Sequence, residues 1–149
     1  MKIVAGMLRI LFYLAIGPFV GMLAGNLAIG AITLASTGSM QDFVFDATLF
    51  APQNLLISYT LGVGPALLTG IVALLLMGAY TGWRYWLWIA FAGASLSMAL
   101  AWIVFGLGPL ATGINPFIFS GVIAFAGGVA GFVCALLFDL ISGALRQRA

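Results

Sequence analysis

Three acids, Asp42, Asp46 and Asp139, and one thiol, Cys134, are the strongest candidates for chemistry in this sequence. It has no histidine and no glutamate. That removes the commonest metal ligand, the usual general base and histidine ligation of haem. A lone cysteine makes neither an intramolecular disulfide nor a multi-cysteine metal site. Cys134 stands between Val133 and Ala135 and reads as a small buried residue. Asp42 and Asp46 lie four apart, so a helix would place them on one face. Two carboxylates are a poor cage for Ca²⁺, which takes 6–8 oxygens, and a solvated acidic face is expected instead. No nucleophile–base pair can be assembled, so neither catalysis nor a bound cofactor or metal is expected.

Of the polar residues inside the long apolar runs, two stand out. An acid within a membrane span is a functional hypothesis by default, and Asp139 is one. It comes seven residues before Arg146 and is expected to pair with it or to be hydrated. On that reading Asp139→Asn is worth only about 0–1 kcal/mol, as for an exposed pair. Asn26 lies deep in the first run. It is expected to hydrogen-bond to another helix, with a polar binding site as the sharper alternative.

The elements that must position these residues are set by composition. Of 149 residues, 64% are hydrophobic and 5% charged, and mean hydropathy is +1.26. A water-soluble domain carries about 25% charged residues. Such a chain cannot cover a water-facing surface, so a single all-α domain spanning the bilayer is expected. The net charge of +2 comes from scattered cations and does not point to nucleic acid.

Four spans are predicted, at about 10–35, 53–80, 85–105 and 117–145. The first follows Lys2 and Arg9 and is longer than the apolar core of a cleaved signal, about 7–15 residues. A retained span is therefore preferred. Small residues recur every four positions within the spans. Gly17, Gly21 and Gly25 mark the first, and Gly62, Ala66 and Gly70 the second. Gly93, Ser97 and Ala101 mark the third, and Gly127, Gly131 and Ala135 the fourth. Each set forms one helix face through which another backbone can approach closely. Pro18 and Pro65 interrupt the first two spans, a break that neighbouring helices can absorb in a membrane.

Residues 36–52 form the one substantial loop, and their Phe residues and two acids suit a short interfacial helix. The run Tyr80-Thr-Gly-Trp83-Arg84-Tyr85-Trp86-Leu-Trp88 reads as a tight turn and an aromatic belt at the membrane surface. Stacking on a quinone or nucleobase is its sharper alternative. With four spans, Lys2, Arg9, Arg84, Arg146 and Arg148 all fall on one side, and the other side has no Lys or Arg. The positive-inside rule then puts both termini in the cytoplasm. The segment Pro65–Leu74 returns as Pro116–Phe125, with proline, hydroxyl, glycine and alanine at the same spacing. This is compatible with a parallel duplication of a two-helix unit, or with one packing solution used twice.

Two motifs carry a family resemblance: Ala15-Ile-Gly-Pro-Phe-Val-Gly21, and Ser58-Tyr-Thr-Leu-Gly-Val-Gly-Pro-Ala-Leu-Leu-Thr-Gly70. They resemble a family of small bacterial inner-membrane proteins of unknown function. The resemblance covers two spans and implies a four-helix membrane architecture without catalytic residues. The expected function is that of an uncharacterised, non-enzymatic bundle acting as an accessory or scaffold subunit. Its expected partners are the lipid bilayer and a second copy or another membrane protein. The alternative is a small transporter or channel component that uses the broken helices and Asp139.

Overall fold

The computed structural model describes residues 2–38, 52–77, 79, 82–105 and 115–146. The expected interfacial helix at 36–52, with Asp42 and Asp46, lies almost wholly outside them. Four helices make up the fold: α1 Lys2–Thr37, α2 Pro52–Leu76, α3 Trp83–Phe105 and α4 Pro116–Arg146. All four are long and apolar enough to cross a membrane, and no strand occurs among the described residues. The chain is an all-α, four-helix membrane bundle.

The helix ends follow local chemistry. Gly38 stops α1: it adopts φ 67°, and its N–H bonds to the Leu34 carbonyl at 2.9 Å. This is the left-handed cap that glycine adopts without a side-chain penalty. Gly82, at φ 64°, starts α3, and its carbonyl accepts from the Tyr85 N–H at 3.1 Å. Asn115 caps α4, its Oδ1 accepting from the Phe117 N–H at 2.9 Å. Pro116 takes the first helical position, where its missing N–H costs nothing.

Two boundaries differ from expectation. The second span ends at Leu76 rather than near residue 80. More consequentially, α1 starts at Lys2 rather than near Ile10. Residues 2–9 contain no proline, and the single Gly6 weakens a helix without ending it, so the helix runs through. At ~1.5 Å per residue, α1 exceeds the ~30 Å hydrocarbon core, so it must tilt or project beyond it. Arg9 is thereby carried into the bundle.

Consecutive helices run antiparallel, and α1 closes the ring against α4; α2 and α4 touch only slightly across the diagonal. The core combines small residues with a few large ones, Tyr13, Tyr85 and Ile89. Ala73, Ile89, Cys134, Ala135 and Tyr13 are its most buried members. Many other large apolar side chains point outward: Leu75 is 76% exposed, Ile103 77% and Phe117 86%. Water would not tolerate that surface, and hydrocarbon does.

The glycine faces lie between helices. A Cβ on Gly21 would stand 3.7 Å from the Ala130 Cβ, and one on Gly25 would stand 3.6 Å from that of Ala126. Gly17 faces Ala66 at 3.3 Å on one side and Cys134 on the other. Gly70 fits against Tyr13 and Ile10. The closest approach is between α3 and α4. There a Cβ on Gly93 would collide with the Gly127 carbonyl, one on Gly127 with Ser97 Oγ, and one on Gly131 would sit 2.8 Å from the Ile89 carbonyl. Backbone packs on backbone at this seam, so any side chain forces the helices apart.

The two motifs of the family resemblance pack on each other. Pro18 presses on Gly62, where a Cβ would lie 2.9 Å from the proline Cβ. Ser58 Oγ donates to the Pro18 carbonyl at 2.9 Å, and the Tyr59 hydroxyl donates to the Ala15 carbonyl. Side chains of α2 thus serve the α1 backbone where proline disturbs it. The two halves of the internal likeness sit in different settings. Pro65 is inside α2, whereas Pro116 opens α4. Gly70 is packed against α1, and Gly121 faces open space. The shared spacing is not a shared packing role.

The seam predicts a contrast. Gly93→Ala should destabilise the purified protein by about 1–3 kcal/mol through overpacking, and Gly21→Leu should also disrupt assembly. Gly121→Ala, where the space is open, should be neutral or slightly stabilising. Thermal unfolding in mild detergent measures all three. Equal behaviour of Gly93→Ala and Gly121→Ala would show that the α3–α4 seam is not close-packed.

Candidate functional site

One polar network inside the bundle lies at the end where α1 and α3 begin and α2 and α4 finish. The long side chain of Arg9 leans across from α1. Its Nη2 donates to Asp139 Oδ1 at 2.7 Å, and its Nη1 donates to the Tyr85 hydroxyl at 2.9 Å. The other carboxylate oxygen of Asp139 accepts from Trp86 Nε1 at 2.8 Å. The Tyr85 hydroxyl in turn donates a hydrogen bond to the Ala73 carbonyl, at 3.1 Å. One network therefore joins α1, α2, α3 and α4. We refer to it as the clasp.

Aromatic rings enclose the charges. The Arg9 guanidinium carbon lies 4.4 Å from the Phe138 ring centre and 5.4 Å from that of Tyr85, both within cation–π range. Phe12 meets Phe138 edge-on at 5.8 Å, and Trp86 meets Phe132 in the same way at 6.1 Å. The Arg9 side chain is 4% exposed and that of Asp139 34%. The cation is thus sealed in while the acid keeps an edge toward the surface. Two buried polar atoms beside this network, Arg9 Nε and the Tyr13 hydroxyl, have no hydrogen-bond partner among the described residues.

Several sequence-derived expectations are corrected here. Asp139 pairs with Arg9 on α1, a residue outside its own helix that the sequence reading did not propose for it. Its carboxylate is held by two charge-assisted bonds and is not simply hydrated. Among the described residues Asn26 makes no interhelical bond: its Nδ2 donates to the Met22 carbonyl of its own helix at 2.8 Å. An amide four residues along a helix is within reach of that carbonyl, so it needs no neighbour. The aromatic belt divides in two. Trp83 and Trp88 face outward, while Tyr85 and Trp86 turn inward to the clasp.

Arg9 itself was not among the expected site residues. Its local signal is Phe12 and Tyr13, three and four positions on and so on the same helix face. Asp139 is 130 residues away, and no local pattern links the two. No group of three or more His, Cys, Asp or Glu side chains is arranged to hold a metal ion among the described residues.

Next to the clasp, toward the other end of the bundle, lies a cavity of about 240 Å³. Tyr13 and Thr69 line its clasp end, and Met22, Ser58, Val104 and Ile123 its far end. The small residues Gly17, Gly21, Gly62, Ala66, Gly127 and Gly131 form its walls, and Pro18 and Pro65 both border it. No charged residue lines it. The same faces that let the helices approach in pairs leave space where all four meet.

No protein-family model matches the chain, and no curated protein or solved structure is significantly similar to it.

The clasp changes the outcome expected for Asp139→Asn. Removing the acid leaves the Arg9 charge sealed without a counter-charge. Breaking a buried pair in this way costs about 3–5 kcal/mol, and partial exposure of Asp139 places the loss near the lower end. Arg9→Met combined with Asp139→Leu removes both charges and should regain much of that loss. A double-mutant cycle by thermal unfolding in detergent measures the coupling. Additive single effects would show that the pair contributes nothing to stability.

Proposed function

We propose that the protein is a non-enzymatic accessory or scaffold bundle of the bacterial inner membrane, with both termini in the cytoplasm. The observation that carries this reading is the use made of Asp139. It is the only acid among the described residues of the four spans, and it holds the helices together through Arg9, Trp86 and Tyr85. Proton and ion relays within membranes depend on ionisable side chains, and here the available one serves the architecture. Nothing in the clasp pairs a nucleophile with a base. The large outward side chains of α2, α3 and α4 are free to meet lipid, a second copy or another membrane protein. The five cations on one side of the four-span arrangement support the proposed orientation. The Ala15–Gly21 and Ser58–Gly70 motifs support membership of the family of small inner-membrane proteins that they resemble.

A second reading, a small transporter or channel component, is favoured by the cavity, because both helix-breaking prolines border it. The two readings separate experimentally. Mild solubilisation of the native protein followed by mass spectrometry should find a reproducible membrane partner or a homo-oligomer. Recovery of a lone monomer, together with substrate-dependent flux in liposomes, would replace the first reading by the second. For topology, reporters fused after Ala149 and within residues 38–42 should report opposite compartments. Finding both in one compartment would refute the four-span orientation.

A further inference from the structure

We propose that the cavity between the four helices is a binding site for a hydrocarbon chain, the acyl chain of a bilayer phospholipid. The lining chemistry fits this occupant. Apolar atoms dominate the walls, and no charged side chain reaches them. One of the few hydroxyls present, Ser58 Oγ, is already bonded to the Pro18 carbonyl. Water gains little in such a place, since it needs two to four polar partners and apolar cavities stay dry.

Size and shape narrow the occupant further. An engineered apolar cavity of about 150 Å³ accepts benzene; at the same filling, this volume of about 240 Å³ accepts roughly nine or ten carbon atoms. The lining on α1 runs from Tyr13 to Met22. At ~1.5 Å per residue that is ~13 Å along the bundle axis. An elongated slot parallel to the helices suits a chain more than a compact ring. Lipid chains already lie in that direction.

The slot also has an entrance on the apolar flank. Leu61 on α2 and Val104 on α3 both line the cavity, yet they are 46% and 62% exposed. These two helices run antiparallel with Gly64 opposite Leu100, which brings Leu61 and Val104 to a similar height. Of the neighbouring pairs in the ring, α2 and α3 share the thinnest contact. The opening therefore faces the surface that hydrocarbon covers. At the opposite end Tyr13, fully buried, and the clasp behind it stop the chain. The headgroup stays outside, at the membrane surface away from the clasp.

Photocrosslinking tests the assignment in phosphatidylethanolamine–phosphatidylglycerol vesicles doped with a phospholipid that carries a diazirine within one acyl chain. After illumination, adducts are mapped by peptide mass spectrometry. The expected result is labelling of Ala101 or Ile123, inside the cavity, in addition to outward residues such as Leu75 and Ile103. Ala101→Phe, which fills the slot, should lower the inner labelling several-fold and leave the outer labelling unchanged. Val104→Trp at the exposed entrance offers a second block, should Ala101→Phe not fold. Inner labelling that is absent, or that persists at full strength in a folded blocking variant, overturns the proposal.

Discussion

A guanidinium inside an apolar bundle must be compensated, and the Arg9–Asp139 pair is that compensation. The rest of the structure is arranged so that it can form. Charged side chains at the centre of a membrane helix carry a cost of about 2.5–3.5 kcal/mol on insertion scales, and more in isolation. Arg9 avoids most of this by meeting a carboxylate, a phenol and an aromatic face at once. Those groups come from two turns of chain, one on α3 and one on α4. Their convergence requires the two helices to lie at one height relative to α1. A charge-assisted network is directional where apolar packing is not, so it sets the register of helices that could otherwise slide along one another.

Small residues make that register accessible. With glycine or alanine at the crossing points, α3 and α4 come into backbone contact, and Pro18 of α1 seats against Gly62 of α2. In hydrocarbon there is no hydrophobic drive for helices to associate, so close packing and polar bonds have to supply it. The bundle uses both, but at different heights. The polar bonds concentrate around Arg9, and the backbone seam occupies the middle of α3 and α4. Where four small faces meet at the centre, the same economy of side chains leaves a hollow. Close pairwise contact and incomplete filling of the middle are two results of one composition.

The architecture was largely legible in the sequence because its signals are local. Long charge-free runs mark the helices, and glycines four apart mark the faces that pack. The clasp was only half legible. Asp139 stood out as an acid in an apolar run, but the nearest cation in sequence, Arg146, drew attention from the true partner. Arg9 looked like a boundary residue because a charge ordinarily ends a span. Here the helix runs through it, since a distant carboxylate replaces the water it would otherwise seek. Asn26 was misread for the opposite reason: its own helix offers a carbonyl within reach, and no neighbour is needed. The cavity left no trace in any single segment, because it is defined by the meeting of all four.

The clasp joins the start of the chain to its end, and this has a bearing on biogenesis. Arg9 leaves the ribosome 130 residues ahead of Asp139. At a synthesis rate of about 5–20 residues per second, that interval is roughly 7–26 s. Throughout it the first helix carries a cation with no counter-charge, which gives that helix reason to stay shallow in the translocation machinery. Entry of the last helix supplies the carboxylate and draws the first to its final depth. Closure of the ring through the clasp then waits for the last helix. A chain interrupted before α4 would display an unneutralised arginine at the membrane edge, a distinguishing mark by which proteolytic surveillance could separate unfinished molecules from finished ones.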